Sequence, residues 1–313
     1  DYARGRVLEI LTPSPHRVAP PCPYYGRCGG CHYQHAAYSY QLEAKVAILR
    51  ETFERIARLK LPSEIQVVAG PDQGYRNRIQ LHIRDGRVGF HEAASHRLCP
   101  VEHCLICSPT LNEALQTLGR LARQPRFPRF VRLIELFTNE AQTLLNVLET
   151  QRDQRVARGF FEWCANLLPG VLDASLEYPA LGETFRVSHR SFFQVNRFLL
   201  ERLTELVVGG EEGKFALDLY AGVGLFSLPL ARKFPRVTAV ESSASAVADL
   251  KFNSQRAGLG VEVTRSTAEL FLRELREPPD FVVADPPRAG LGAGVTRELL
   301  RLRVPRLTLV SCD

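Results

Sequence analysis

Asp218-Leu219-Tyr220-Ala221-Gly222-Val223-Gly224-Leu225-Phe226 closes an apolar run over 215–219 and opens an apolar helical stretch over 225–234. A buried strand that ends in a glycine turn and enters a helix is the first unit of a parallel α/β sheet. Glycine there lets the backbone approach a ligand at the carboxyl edge of the strands. Outward from this unit the alternation repeats: strand 236–240, helix 244–257, strand 261–265, helix 267–276, strand 280–284, helix 294–302 and strand 306–310. Strands alternating with helices make a doubly wound parallel sheet. The fold class is therefore α/β, with a Rossmann-like C-terminal domain.

Upstream the pattern changes. Leu81-His82-Ile83-Arg84, Asp85-Gly86, Arg87-Val88-Gly89-Phe90 is a two-residue hairpin signal. Runs 130–137 and 142–149 pair across Asn139-Glu140, with a helix over 110–122 between the sheet segments. Leu42, Val46, Leu49, Phe53 and Ile56 fall three or four apart, which predicts a helix within 36–59. Residues 5–10 read as one short strand, and residues 150–185 as a linker. Residues 13–35 are rich in Pro, Cys and Gly and need something to tie them down. The expected division is a short leading element over 1–12, a cysteine-bearing β-rich domain over 13–180, and the α/β domain over 181–313.

Of 313 residues, 45% are hydrophobic and 24% charged, the balance of a soluble globular chain. No apolar run approaches a membrane span, and Asp1-Tyr2-Ala3-Arg4 opens no signal peptide, so a cytoplasmic protein with no membrane partner is expected. The chain contains no Met, which reads as a fragment or as modified methionines left out. The net charge is +6, and 35 Arg stand against 5 Lys. That balance favours a polyanionic partner met through bidentate contacts. Six of the eight cysteines precede residue 108, which suggests metal or cluster ligation rather than disulfides. The pairs Cys28–Cys31 and Cys104–Cys107 alone fit tetrahedral zinc, a reading that leaves Cys22 idle.

The glycine turn has Gly222 and Gly224 but Ser227 where a dinucleotide fingerprint needs its third glycine. The second strand ends in Glu241, a carboxylate able to accept from two ribose hydroxyls. An acidic residue, a short glycine turn and an acidic strand end fit S-adenosylmethionine better than NAD. Asp285-Pro286-Pro287-Arg288 follows the fourth strand; its prolines fix the backbone and withhold N–H donors, leaving carbonyls and a side chain to face a planar group. Enzymes that methylate exocyclic amines carry an aromatic where Arg288 stands, which speaks against that chemistry. After the last strand comes Ser311-Cys312-Asp313. A lone cysteine is often a buried structural residue. Beside Asp285 and the cofactor edge, however, a Cys312 thiolate suits addition to C6 of uracil, which turns C5 into a nucleophile.

Taken with Cys22-Pro23-Tyr24-Tyr25-Gly26-Arg27-Cys28-Gly29-Gly30-Cys31, Gly74-Tyr75-Arg76-Asn77-Arg78 and Phe192-Phe193-Gln194-Val195-Asn196, these motifs resemble those of the S-adenosylmethionine-dependent RNA (uracil-5-)-methyltransferases. More narrowly, the chain is similar to their iron–sulfur branch, which acts on 23S ribosomal RNA. The resemblance runs from Val7 to the last residue. It implies that Cys312 is the nucleophile and that Gln194, Tyr220, Glu241 and Asp285 contact the cofactor beside Gly222 and Gly224. Gln194 and Asp285 would also face the uracil. Leu225 replaces a polar cofactor contact of some members.

The same resemblance implies a [4Fe-4S] cluster on Cys22, Cys28 and Cys31, with Cys104 as fourth ligand and Cys99 and Cys107 as alternatives. Residues 1–12 would be the last strand of a β-barrel RNA-binding domain, and the Glu that removes the C5 proton would follow residue 313. RNA contacts are expected from Arg76 and Arg78, with Tyr24, Tyr25 and Tyr33 available to stack on bases of an opened RNA. A monomer is expected. Two other readings stay open: transfer RNA as the substrate, and a non-catalytic zinc-knuckle RNA-binding protein with a decayed methyltransferase fold.

Overall fold

The computed structural model describes residues 7–168 and 170–311. The strand read over 5–10 falls partly outside them, and residues 7–10 take part in no strand. Helix α1 (Tyr38–Thr52) continues through a π-type turn over Phe53–Ala57. Its periodic apolar positions do not seat in a core: no residue of α1 is buried. Leu42, Val46 and Leu49 line an open cleft of about 920 Å³ whose other wall includes Ile65, Val67 and Val68. Periodicity put these side chains on one face, but the irregular segment opposite does not close over them.

A six-stranded sheet follows, built from β1 (Arg78–Arg84), β2 (Arg87–His91), β3 (Leu98–Pro100), β4 (Val131–Thr138), β5 (Thr143–Thr150) and β6 (Val171–Leu172). The strand order is β3-β2-β1-β4-β5-β6; all pairs are antiparallel except β5–β6. Asp85 and Gly86 join β1 to β2 with φ of 51° and 72°, the left-handed pair that matches the twist of a two-residue hairpin. Helix α2 (Pro109–Ala122) starts at Ser108, whose Oγ accepts from Leu111 N, with Pro109 at the first helical position. Its Leu111, Leu115 and Leu118 pack with Leu81 and Ile134 in one core.

The range read as a linker is folded. Helix α3 (Arg158–Leu167) buries Phe160, Trp163 and Cys164, and makes the crossover that a parallel β5–β6 pair requires. Strands β7 (Ser175–Ala180) and β8 (Glu183–Ser188) then form a hairpin across Leu181-Gly182, with φ of 57° and 72°. Leu176, Tyr178, Phe185 and Val187 join Phe137 and Phe193 in a second core.

Helix α4 (Leu200–Val208) leads into the parallel sheet of β9 (Phe215–Leu219), β10 (Arg236–Glu241), β11 (Glu262–Arg265), β12 (Phe281–Ala284) and β13 (Leu307–Leu309). The crossovers carry α5 (Ser227–Ala231), α6 (Ala244–Arg256), α7 (Ala268–Glu274) and α8 (Gly292–Leu302). The order is β11-β10-β9-β12-β13, every pair parallel. β9 and β12 are buried along their whole length, as strands covered on both faces must be. The sheet grows one way from β9 through β10 and the other way through β12, and a ligand crevice opens at the carboxyl ends flanking such a switch. No helix among the described residues is long and apolar enough to cross a membrane.

Candidate active site

Three strand ends meet at the switch. Ala221 N donates to Val240 O at 3.1 Å, and Asp285 N donates to Leu219 O at 3.3 Å, so the turns after β9, β10 and β12 are laced together. Glu241 accepts from Gly222 N at 3.0 Å through Oε2 and from Ser243 N at 2.7 Å through Oε1. These two amides aim its carboxylate along the glycine turn. The two glycines are needed for different reasons. Gly222 has φ 55°, and a Cβ there would meet nothing within 4 Å, so its open face is where a ligand can lie against the backbone. Gly224 has φ 99°, and a Cβ there would fall 2.9 Å from Leu228 Cδ1 and 3.3 Å from Leu250 Cγ.

Tyr220 turns the chain out of β9 with φ 62°, uncommon for a non-glycine residue, and packs against the core beneath the sheet. Burial raises its phenol above the ordinary range, and Glu269 adds to that. Leu225 is buried in the hydrophobic core, so this position makes no polar contact. An open backbone face beside an aimed carboxylate suits a nucleoside with free hydroxyls, which is the fit S-adenosylmethionine requires.

At the end of β12, Gln194 Nε2 donates to Asp285 Oδ2 at 2.9 Å. The Gln194 loop is held from both sides. Phe193 is buried among Phe137, Tyr178 and Phe185. Asn77 donates from Nδ2 to Gln194 O at 3.2 Å and from its backbone N to Val195 O at 3.0 Å. Burial pushes the Asp285 carboxyl up to about 6, and the Gln194 hydrogen bond works against that rise.

Asp218 lies deeper in β9 and is fully buried. Burial pushes it up to about 7; Ser227 opposes the rise, while Asp285 and Glu241 add to it. Ser227 donates its hydroxyl to Asp218 Oδ2. The residue that breaks the dinucleotide fingerprint is therefore the buried partner of the motif's acid. At the last strand, Val310 N donates to Ala284 O at 2.9 Å, one residue before Asp285. Cys312 and Asp313 lie outside the described residues.

The cysteines gather elsewhere. Cys22, Cys28, Cys31 and Cys104 line one cavity of about 50 Å³, together with Tyr24, Tyr25 and Arg76. Gly29 N donates to His91 O at 3.0 Å, and Ala93 N to Arg27 O at 3.0 Å, pinning the Cys28 loop to the end of β2. Asn112, on α2, locks the Cys104 turn: its Oδ1 accepts from Cys104 N at 2.8 Å, and its Nδ2 donates to Cys104 O and Cys107 O. Asn112 ends the Cys104-Leu105-Ile106-Cys107-Ser108-Pro109-Thr110-Leu111-Asn112 stretch on which the resemblance placed the fourth ligand, and its role is to hold that turn.

Burial raises the thiols of Cys28 and Cys31, whereas the Cys107 hydrogen bond lowers that of Cys104. Cys99 and Cys107 are not in the cavity lining; both are buried, and Cys99 Sγ accepts from Arg27 Nε at 3.2 Å. Four thiols around one cavity suit a soft metal centre. Among the described residues, no group of three or more His, Cys, Asp or Glu side chains is drawn together to hold a single metal ion.

A profile of the tRNA (Uracil-5-)-methyltransferase family matches residues 170–313. An uncharacterized RNA methyltransferase of Aquifex aeolicus is 32% identical over 337 residues, which cover 100% of this chain and 79% of that protein. The 23S rRNA (uracil(1939)-C(5))-methyltransferase RlmD of Halomonas elongata is 31% identical over 350 residues, covering 100% of this chain and 72% of that protein. The chain belongs to the S-adenosylmethionine-dependent RNA (uracil-5-)-methyltransferase family. The fold agrees with this family. The crystal structure of Pyrococcus abyssi tRNA (uracil-54, C5)-methyltransferase in complex with S-adenosyl-L-homocysteine superposes with a TM-score of 0.76, over 97% of this chain and 78% of that one, at 24% identity.

For a member of an RNA-modifying family, the expected RNA contacts need one correction. Arg78 is buried, not presented to solvent: it pairs with Glu135 at 2.6 Å, donates to Ser191 O at 2.8 Å and lies over the rings of Phe137 and Phe192. Glu135 also accepts from Gln80 and Asn146. A guanidinium held this way is part of the frame behind the Phe192–Gln194 loop. The hydroxyls of Tyr24 and Tyr25 are bonded to Glu102 N and His32 O, and Tyr33 is exposed.

Proposed function

We propose that the protein methylates C5 of a uridine in 23S ribosomal RNA through a covalent bond between Cys312 and C6 of the base. The observation that carries this reading is the Gln194–Asp285 pair, at 2.9 Å, on the same carboxyl edge of the sheet as the Gly222–Glu241 contact. A uracil edge offers an N–H donor flanked by carbonyl acceptors, which an amide and a carboxyl side by side can match. The choice of 23S RNA rests on the RlmD relative, whose name places its action there. Glu241, Tyr220 and the Gly222 and Gly224 turn would hold S-adenosylmethionine, which supplies an electrophilic methyl carbon when bound. The Cys312 thiolate adds to C6, and the electron pair moves onto the C5 enolate. With the methyl on C5, a base takes the C5 proton, the C6–S bond breaks, and the thiolate returns.

The same reading places a [4Fe-4S] cluster on Cys22, Cys28, Cys31 and Cys104, supported by their shared cavity. It would staple the Cys22–Cys31 loop to the Cys104 turn ahead of α2, leaving methyl transfer to the carboxyl edge of the parallel sheet.

A 23S RNA fragment carrying 5-fluorouridine tests the chemistry, because fluorine cannot leave C5 as a proton does. With S-adenosylmethionine, the wild-type protein should form an adduct that survives denaturing electrophoresis, and Cys312→Ala should not. A full-length protein that methylates RNA without trapping an adduct overturns the covalent route. Trapping on transfer RNA alone moves the substrate assignment there. Anaerobically purified protein should hold about four irons per chain with matching sulfide; zinc in their place overturns the cluster.

A further inference from the structure

Helix α6 carries two buried polar side chains one turn apart, Asp249 and Asn253, 0% and 1% exposed. Positions i and i+4 share a helix face. Neither residue lies in the glycine turn or in the Gln194 loop, yet together they hold both. The Asp249 carboxylate accepts from Ser188 N at 2.7 Å, Ser188 Oγ at 2.6 Å, Ser191 Oγ at 2.7 Å and Arg186 Nε at 2.8 Å. Ser191 N donates back to Ser188 O at 3.0 Å, closing a turn in which Arg190 takes φ 67°. Ser191 is fully buried and stands three residues before Gln194. Arg186 is fixed to the same helix: it lies over the Phe252 ring at 3.9 Å and donates from Nη2 to Ala248 O at 2.8 Å.

Asn253 reaches the other way. Its Nδ2 donates to Val223 O at 3.0 Å, between Gly222 and Gly224, and its Oδ1 accepts from Arg186 N at 2.7 Å. An isolated carboxylate in a protein interior is costly, so it persists where donors fill its lone pairs. Here every donor comes from the Arg186–Ser191 segment. The loop that presents Gln194 is thus referenced to the helix that also holds the cofactor turn.

We propose that Asp249 is a positioning residue for methyl transfer: through Ser188 and Ser191 it sets the Phe192–Gln194 loop, and so the Gln194–Asp285 contact, in register with the glycine turn held by Asn253. The inference rests on the methyltransferase reading of that crevice. Asp249 bonds to Arg186, Ser188 and Ser191 and to no residue of the glycine turn or Glu241, so its effect should fall on turnover more than on S-adenosylhomocysteine binding. Methyl transfer to RNA and binding of S-adenosylhomocysteine are measured on the full chain for wild type, Asp249→Asn and Ser191→Ala.

Asp249→Asn should lower kcat about tenfold or more, since small displacements of reacting groups cost this much. KM for RNA and affinity for S-adenosylhomocysteine should stay within about twofold of wild type. Ser191→Ala should lower kcat less, with the same split, and it carries the test if Asp249→Asn does not fold. Unchanged kcat in folded variants overturns the proposal, as does parallel loss of kcat and of S-adenosylhomocysteine affinity, the mark of a purely structural role. A wild-type protein inactive on every RNA would instead sink the reading of the crevice.

Discussion

The Gln194 side-chain amide donates to the Asp285 carboxyl at 2.9 Å across 91 residues of sequence, joining a loop above the sheet to the carboxyl end of β12. Neither residue could hold this geometry alone. Asp285 is placed by the β12 ladder and by its own N–H on Leu219 O, whereas Gln194 is placed by Asn77 and by the burial of Phe193. The contact joins two parts of the chain that share one hydrophobic core.

The first prediction concerns pH. Burial raises the Asp285 carboxyl to about 6, and the Gln194 hydrogen bond is the influence that lowers it. With Asp285 required as the carboxylate, kcat/KM for methyl transfer should fall as pH drops through about 6. Gln194→Ala removes the donor, so this acid limb should move to higher pH. The measurement is single-turnover methylation across pH for both proteins; a limb that stays in place would assign it to another group.

The two glycines of the cofactor turn should fail differently. Gly224→Ala forces a Cβ to within 2.9 Å of Leu228 Cδ1 at φ 99°, so it should destabilise the fold by about 1–3 kcal/mol. Gly222→Ala meets no atom within 4 Å and carries only the left-handed backbone cost of about 1–2 kcal/mol. Its methyl group instead occupies the open face of the turn. Thermal denaturation should show the larger loss for Gly224→Ala, and calorimetric titration with S-adenosylhomocysteine should show the larger loss for Gly222→Ala. Equal affinity of Gly222→Ala and wild type would place the cofactor elsewhere.

The legibility of the chain follows from where its information is local. The parallel sheet could be read because Phe281-Val282-Val283-Ala284 and Phe215-Ala216-Leu217 are apolar without interruption, as doubly covered strands must be. Glu241 and the Gly222 turn were legible from their place at strand ends. The hairpin β7–β8 does carry the alternation of a half-buried pair, with Leu176, Tyr178, Phe185 and Val187 inward and Glu177, Thr184 and Arg186 outward, but each run is only six residues long and Pro179 interrupts one of them. Arg78 read as a surface cation because its partner, Glu135, is 57 residues away. Ser227 read as a missing glycine because a buried hydroxyl–carboxyl pair leaves no local mark. Asp249 and Asn253 look like any polar residues of a solvated helix until β8 covers them.

Arg78→Ala should be strongly destabilising. The substitution leaves Glu135 buried with only the neutral donors of Gln80 and Asn146. Removing one partner of a buried ion pair costs about 3–5 kcal/mol. Chemical denaturation should show this as a lower midpoint, and the Arg78→Ala, Glu135→Ala cycle should show strong coupling. A stable Arg78→Ala protein with weakened RNA binding would restore the surface reading of this residue.

The last prediction concerns Asp218 and the stability of the sheet. Burial comes first among the causes that raise its carboxyl to about 7, and Asp285 and Glu241 add to it. The unfolded chain titrates this group near 3.8, so the folded state holds a proton that the unfolded state has lost between about pH 4 and pH 7. Asp218 therefore contributes stability that is fully present below the unfolded value and is lost as pH rises through the folded one. The slope should approach about 1.4 kcal/mol per pH unit across that window. Asp218→Asn keeps a neutral acceptor for Ser227 and cannot titrate, so its stability should depend less steeply on pH by that amount. Denaturant unfolding at pH 5, 6, 7 and 8 provides the comparison. Parallel curves for the two proteins would mean that Asp218 is ionised in the fold, its charge compensated by Ser227 alone.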